Sequence, residues 1–154
     1  MIRIDANHYT ETIIYSIDII IRNLKQQLGQ KIDSLKKGIT GEEFVILDTI
    51  MCNPNIYQQQ LSEILLLDKS KTARLLKSLE EKNFIKRTIG NSNNRLVYLL
   101  NITQDAKILI REIKPVMKEF LIEVFENINN DEIQLLHGLS RKFQDDLDNV
   151  LGKE

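Results

Sequence analysis

The stretch LSEILLLDKSKTARLLKSLEEKNFIKR, residues 61–87, decides the fold. Leu61, Ile64 and Leu65 carry helical spacing and predict a short helix over about Gln58–Leu66. A brief turn follows, and Asp68 or Ser70 can cap a second helix that runs from about Ser70 to Lys82. Ala73, Leu76 and Leu79 take its inward face, while Ser70, Lys71, Arg74, Lys77 and Ser78 share the opposite one. Asn83 ends that helix, because Asn tolerates the left-handed conformation better than most residues with a side chain.

Downstream, Phe84–Ile89 and Leu96–Ile102 are β-prone runs separated by Gly90-Asn91-Ser92-Asn93-Asn94, nearly all turn-formers. They predict a hairpin with a polar tip. Upstream, Thr40 and Glu43 have capping-box spacing at the start of a helix that Asn53-Pro54 stops. Ile13, Ile17, Ile20, Ile21, Leu24 and Leu28 give an apolar stripe to a long first helix, about residues 7–30. After the hairpin, Thr103 caps a long helix that should bend or lose one bond at Pro115. Asn129 and Glu132 cap a last helix. Two helices joined by a tight turn and followed by a hairpin read as a winged helix-turn-helix. The fold class expected is therefore mainly α with a small β-hairpin wing. The first and last helices carry more apolar surface than so small a lobe can cover, and a second copy of the chain is expected to cover it.

The chain has 154 residues, which suits one domain, and a formal net charge of −1. That total gives no hint of a polyanionic partner, but its distribution does. Residues 68–95 hold eight Lys and Arg against three acids, a net +5, whereas residues 117–154 hold four against nine, a net −5. A helix that presents cations and hydroxyls on its N-terminal half suits a DNA major groove. A merely solvated basic face is the commoner reading of such a helix taken alone; its neighbours in the chain shift the balance.

One cysteine, Cys52, rules out a disulfide within the chain and a multi-cysteine metal site. It is expected to be a small buried hydrophobe. His8 and His137 are isolated, so no metal is expected. Glu42-Glu43 and Asp145-Asp146 read as solvated helix positions, and no Gly-rich phosphate loop or nucleophile elbow appears. No enzyme activity and no cofactor are expected. The start lacks the apolar core of a signal peptide, and a cytoplasmic protein is expected.

Residues 61–87 resemble the MarR family of bacterial and archaeal transcriptional regulators, whose run reads L-A-x-x-L-x-x-D-K-S-T-V-T-R-x-x-x-x-L-E-x-K-G-x-[IV]-x-R. Ile102-Thr103 is similar to the Leu-Thr that closes the family's wing. The resemblance implies a single domain over 1–154. Its winged lobe would cover about 36–102, with dimerisation helices at about 7–35 and 103–151. It implies a homodimer on a pseudo-palindromic double-stranded DNA operator, acting as a repressor relieved by a small-molecule effector. Lys71, Thr72, Arg74 and Lys77 are expected to supply groove and phosphate contacts, with Ser70 at the helix start. Gln58, Gln59 and Gln60 are expected near backbone or flanking bases, and Arg95 at the wing. The family's wing acid is replaced here by Asn93 or Asn94 and its second arginine by Leu96 in one register, which weakens the expected minor-groove contact. A same-fold regulator acting through protein contacts is the alternative.

Overall fold

A computed structural model describes residues 8, 12–92 and 95–152; the side chains of Ser92 and Arg95 fall outside that description. The elements are α1 (Ile13–Ser34), α2 (Gly41–Cys52), α3 (Gln58–Leu65), α4 (Lys69–Glu81), β1 (Ile85–Ser92), β2 (Arg95–Ile102), α5 (Gln104–Val124) and α6 (Asn130–Val150). The chain forms two units, residues up to 117 and residues from 118.

The first unit holds the core. Phe44, Ile46, Leu47 and Ile50 of α2, Leu61 of α3, Leu75, Leu76 and Leu79 of α4, Ile85 and Leu100 of the hairpin, and Ala106, Ile110 and Ile113 of α5 form one buried cluster. Local chemistry fixes each start and stop. Thr12 caps α1 by accepting from the Tyr15 amide at 3.2 Å, and α1 runs four residues past its expected end at residue 30. Thr40 and Glu43 close the expected capping box on α2, at 3.3 Å and 2.8 Å. Gly41 lies where α1 and α2 meet: a Cβ there would stand 2.9 Å from the Gly29 Cα.

The α3–α4 turn is three residues long. Leu66 takes φ 51° and the Leu67 amide donates to the Ser62 carbonyl at 3.0 Å, a Schellman closure with leucine where glycine is usual. Asp68 then caps α4 by accepting from the Lys71 amide at 2.7 Å. The same closure ends α4: Asn83 sits at φ 58° and the Phe84 amide donates to the Leu79 carbonyl at 2.9 Å. Thr103 joins this turn to α5. Its hydroxyl donates to the Asn83 carbonyl at 2.9 Å and accepts from the Ala106 amide at 3.2 Å.

The hairpin is antiparallel, from Ile85 opposite Ile102 to Ser92 opposite Arg95. It is longer than expected, because Gly90, Asn91 and Ser92 pair with Val97, Leu96 and Arg95 instead of turning. Ladder hydrogen bonds override the turn preference of those residues. Tyr57 bridges Leu99, and the Leu100 amide donates to the Ile56 carbonyl at 2.8 Å, so the loop before α3 is pinned to β2 by an isolated bridge. Asn93 and Asn94, singled out by the sequence for the wing, lie outside the described residues.

Helix α5 continues through Pro115, which has no amide hydrogen to give to the carbonyl one turn earlier. In the second unit, α6 starts on a full capping box from Asn129 and Glu132 and has no buried residue. No described helix is long and apolar enough to cross a membrane.

Candidate nucleic-acid interface

Helix α4 has three sides. Thr72, Leu75, Leu76 and Leu79 are buried. Ser70, Arg74 and Lys77, spaced i, i+4 and i+7, are exposed. Lys71, Ser78 and Lys82, spaced i, i+7 and i+11, face the first turn of α2, where two carboxylates hold them. Lys71 Nζ donates to Glu42. Ser78 Oγ donates to Glu43 Oε1 at 2.6 Å, and Lys82 Nζ reaches both Glu43 oxygens, at 2.7 and 2.8 Å.

Glu43 is therefore not the solvated position its sequence suggested. Its residue is 2% exposed, and its carboxylate accepts four hydrogen bonds from three donors, counting the Thr40 amide. Burial pushes the carboxyl upward, but hydrogen bonds from Lys82, Ser78 and the Thr40 amide, with the Lys82 charge, outweigh it and hold it below the ordinary carboxylate value. This hub ties the start of α2 to the C-terminal half of α4 and so fixes how α4 is presented. The Thr40–Glu43 spacing was legible in sequence; the partners of Glu43, 35 and 39 residues away, were not.

The structure sorts the residues singled out by sequence into three groups. Ser70, Arg74 and Lys77 lie together on the open side of α4. Among the described residues Ser70 and Arg74 make no ion pair or side-chain hydrogen bond, and Lys77 makes one loose pair with Glu81 at 3.8 Å. Lys71 and Ser78 lie on the side that faces α2.

Thr72 is a correction. It is 0% exposed, its hydroxyl donates to the Asp68 carbonyl at 2.9 Å, and it meets Ser62 Oγ at 3.1 Å. It joins α3 to α4 inside the lobe and has no surface to offer a groove. Ala73 is the matching correction: it is exposed, and Leu75 takes the inward place beside Leu76.

At the start of α3, Gln59 and Gln60 are exposed and Gln58 is half-buried. Gln59 Nε2 donates to Glu63 at 2.9 Å and Gln60 Oε1 accepts from the Tyr57 amide at 3.2 Å, so these two side chains are committed locally. The backbone of Arg95 opens β2, and its side chain lies outside the description. Leu96 is 82% exposed beside the exposed cross-strand pair Ile89 and Tyr98, so toward its tip the described wing offers apolar surface, and its described cations, Lys86 and Arg87, lie near its base. Cys52 is exposed at the end of α2, against the expectation of a buried thiol. Helix α2 stops there, and the residues after it form a surface loop.

Comparison with known proteins agrees with this layout. Residues 39–97 match the MarR family. An uncharacterized HTH-type transcriptional regulator of Bacillus subtilis, YwaE, is 29% identical over 89 residues, 58% of this chain and 52% of that protein. The match thus spans about half the length of that relative. Among solved structures, a MarR protein from Peptoclostridium difficile superposes with a TM-score of 0.77 at 22% identity, covering 99% of this chain and 96% of that one. A mutant MarR from E. coli complexed with operator DNA gives a TM-score of 0.76 at 23% identity, covering 90% and 99%. These two likenesses are of fold.

Proposed function

We propose that the chain, whose residues 39–97 match the MarR family, is a transcriptional regulator of that family, a sequence-specific, double-stranded DNA-binding repressor that works as a homodimer on a pseudo-palindromic operator. The observation that carries this reading is the open side of α4. Ser70, Arg74 and Lys77 form a hydroxyl-and-cation stripe on a helix whose opposite side is locked into the core and whose third side is clamped to α2. A helix so fixed can enter a major groove as a rigid edge. That a protein of like fold was solved with operator DNA supports DNA as the partner.

In this reading Arg74 contacts base edges or phosphate from the first half of the helix, Ser70 and Lys77 meet the backbone, and Arg95 serves the wing. The Gln58 and Gln59 end of α3 lies along the flanking backbone. The exposed apolar stripes of α1 and α6 pair with a second copy, and two lobes then meet half-sites about one helical turn apart, roughly 34–36 Å. A small effector that changes the spacing of the lobes releases the DNA.

Selection of bound duplexes from a random pool tests the reading directly. The expected product is an inverted repeat, bound with affinity that falls steeply with salt. Retention of every sequence equally, or binding indifferent to salt, overturns it.

A further inference from the structure

We propose that Glu42 is an internal counter-ion that keeps Lys71 from acting as an indiscriminate phosphate contact, and so sharpens the DNA selectivity proposed above, on which this inference rests. Lys71 and Arg74 are two of the three cations of the N-terminal half of α4, after Lys69 at its first position; they stand one turn apart but differ in company. Arg74 has no ion pair among the described residues. Lys71 is held by a carboxylate from another helix, 29 residues away in sequence.

The location explains why the pair forms. Lys71 sits in the first turn of α4, which contains no acidic residue, and the positive end of a helix dipole disfavours a cation there. Glu42 sits in the first turn of α2, where the same effect favours an anion. Bringing the two helix starts together joins a poorly placed cation to a well placed anion. The pair is also open to exchange: the Glu42 side chain is 58% exposed and that of Lys71 31%. A phosphate can therefore take Lys71, but only by displacing Glu42 and accepting a carboxylate nearby.

The consequence falls unequally on different DNA. Non-specific binding is nearly all phosphate contact, and it loses most when one contact must be won from a carboxylate. A cognate site that seats Arg74 on base edges fixes α4 in a register that leaves Lys71 on Glu42, and so loses less. Glu42 thus raises the ratio of cognate to non-cognate binding by lowering the non-cognate affinity more.

The test measures binding of two duplexes, the one that the wild-type protein selects from a random pool and a scrambled duplex of the same composition. Glu42→Gln is expected to raise affinity for the scrambled duplex by roughly two- to fivefold, the range of an exposed ion pair. It is expected to steepen the slope of log K against log salt by about 0.9, one further phosphate neutralised. In the Lys71→Gln background the same change is expected to do little. An equal gain in that background means a general charge effect and overturns the inference. So does a Glu42→Gln protein that binds like wild type while Arg74→Ala binds worse, a result that leaves the DNA-binding reading standing. Failure of the wild-type protein to select any sequence overturns the reading and the inference together.

Discussion

Helices α4 and α6 are built on the same amphipathic plan and end in opposite situations. Helix α4 has 13 residues, four of them buried, and what it leaves to solvent is a cationic edge. Helix α6 has 21 residues, none buried, and what it leaves to solvent is apolar: Leu136, Leu139, Phe143, Leu147 and Val150 recur at i, i+3, i+7, i+11 and i+14 and are 43–84% exposed. Periodicity alone does not separate the two cases. The lobe supplies α4 with an apolar neighbour on its inner side and a carboxylate pair on a second side, so α4 has charge to offer. Among the described residues nothing buries the apolar side of α6, so it has hydrophobic surface to offer. We read the first as the face for DNA and the second as the face for another copy of the chain.

The largest expected effect tests the α6 half. Leu139→Asp with Phe143→Asp puts two charges where the homodimer reading needs an apolar seam, at about 3 kcal/mol or more. Sedimentation of the wild-type protein at micromolar concentration is expected to give twice the 17.9 kDa chain mass, and of the variant the chain mass itself. A wild-type monomer breaks the comparison.

Next comes the buried side of α4. Leu76 is 0% exposed, and Leu76→Ala is expected to cost about 2–5 kcal/mol, read as a lower melting temperature. On the open side, Arg74→Ala is expected to leave the melting temperature nearly unchanged while weakening operator binding by about 1–3 kcal/mol. Unchanged binding removes Arg74 from the proposed face.

The clamped side of α4 responds to acid. The Glu43 carboxyl is held below its ordinary value in the folded protein, so the stability it contributes is complete above about 4.5, the unfolded value, and is lost as pH falls through the lower folded value. Glu43→Gln is expected to lower stability near neutral pH by about 1–3 kcal/mol. That gap should narrow in acid, where the wild-type group also becomes neutral. A gap that stays constant down to pH 3 denies Glu43 this role.

What could be read in the sequence follows a physical line. Asn83, the Thr40–Glu43 box, the Asp68 cap and the Thr103 start depend on residues within a few positions of one another, and all appear as read. The sides of α4 do not. Ala73 and Leu75 are both apolar and lie on opposite flanks of Leu76, about 160° apart on the helical wheel, and only contact with α3 and the hairpin decides that leucine goes in. The burial of Glu43 and the pairing of Lys71 depend on partners 29–39 residues distant, and nothing local announces them. Exposure of Cys52 likewise depends on where α2 ends relative to the core. The wing was half legible: its pairing partners were placed, but its length was set by ladder bonds that polar residues accept once opposite an apolar strand.

The smallest expected effect concerns Thr72, and it tests the assignment of the sides of α4 most directly. The MarR run has Ala and Val at the places held here by Ser62 and Thr72, so two apolar positions have become a hydroxyl pair. The three hydrogen bonds of that pair, to Gln58, to Asp68 and between the hydroxyls, share only two protons, so one is unmade at any moment. Thr72→Val alone removes the Asp68 bond and one partner of Ser62, and is expected to cost about 1 kcal/mol. Ser62→Ala with Thr72→Val removes both hydroxyls from a buried joint while keeping its shape, and is expected to return stability to within about 0.5 kcal/mol of wild type. Neither variant is expected to change DNA affinity, because no surface of Thr72 reaches solvent. A tenfold loss of affinity in the double variant at unchanged melting temperature means that Thr72 meets the DNA after all. Helix α4 must then turn in the lobe when it binds, and the clamp that Glu43 places on it is not rigid.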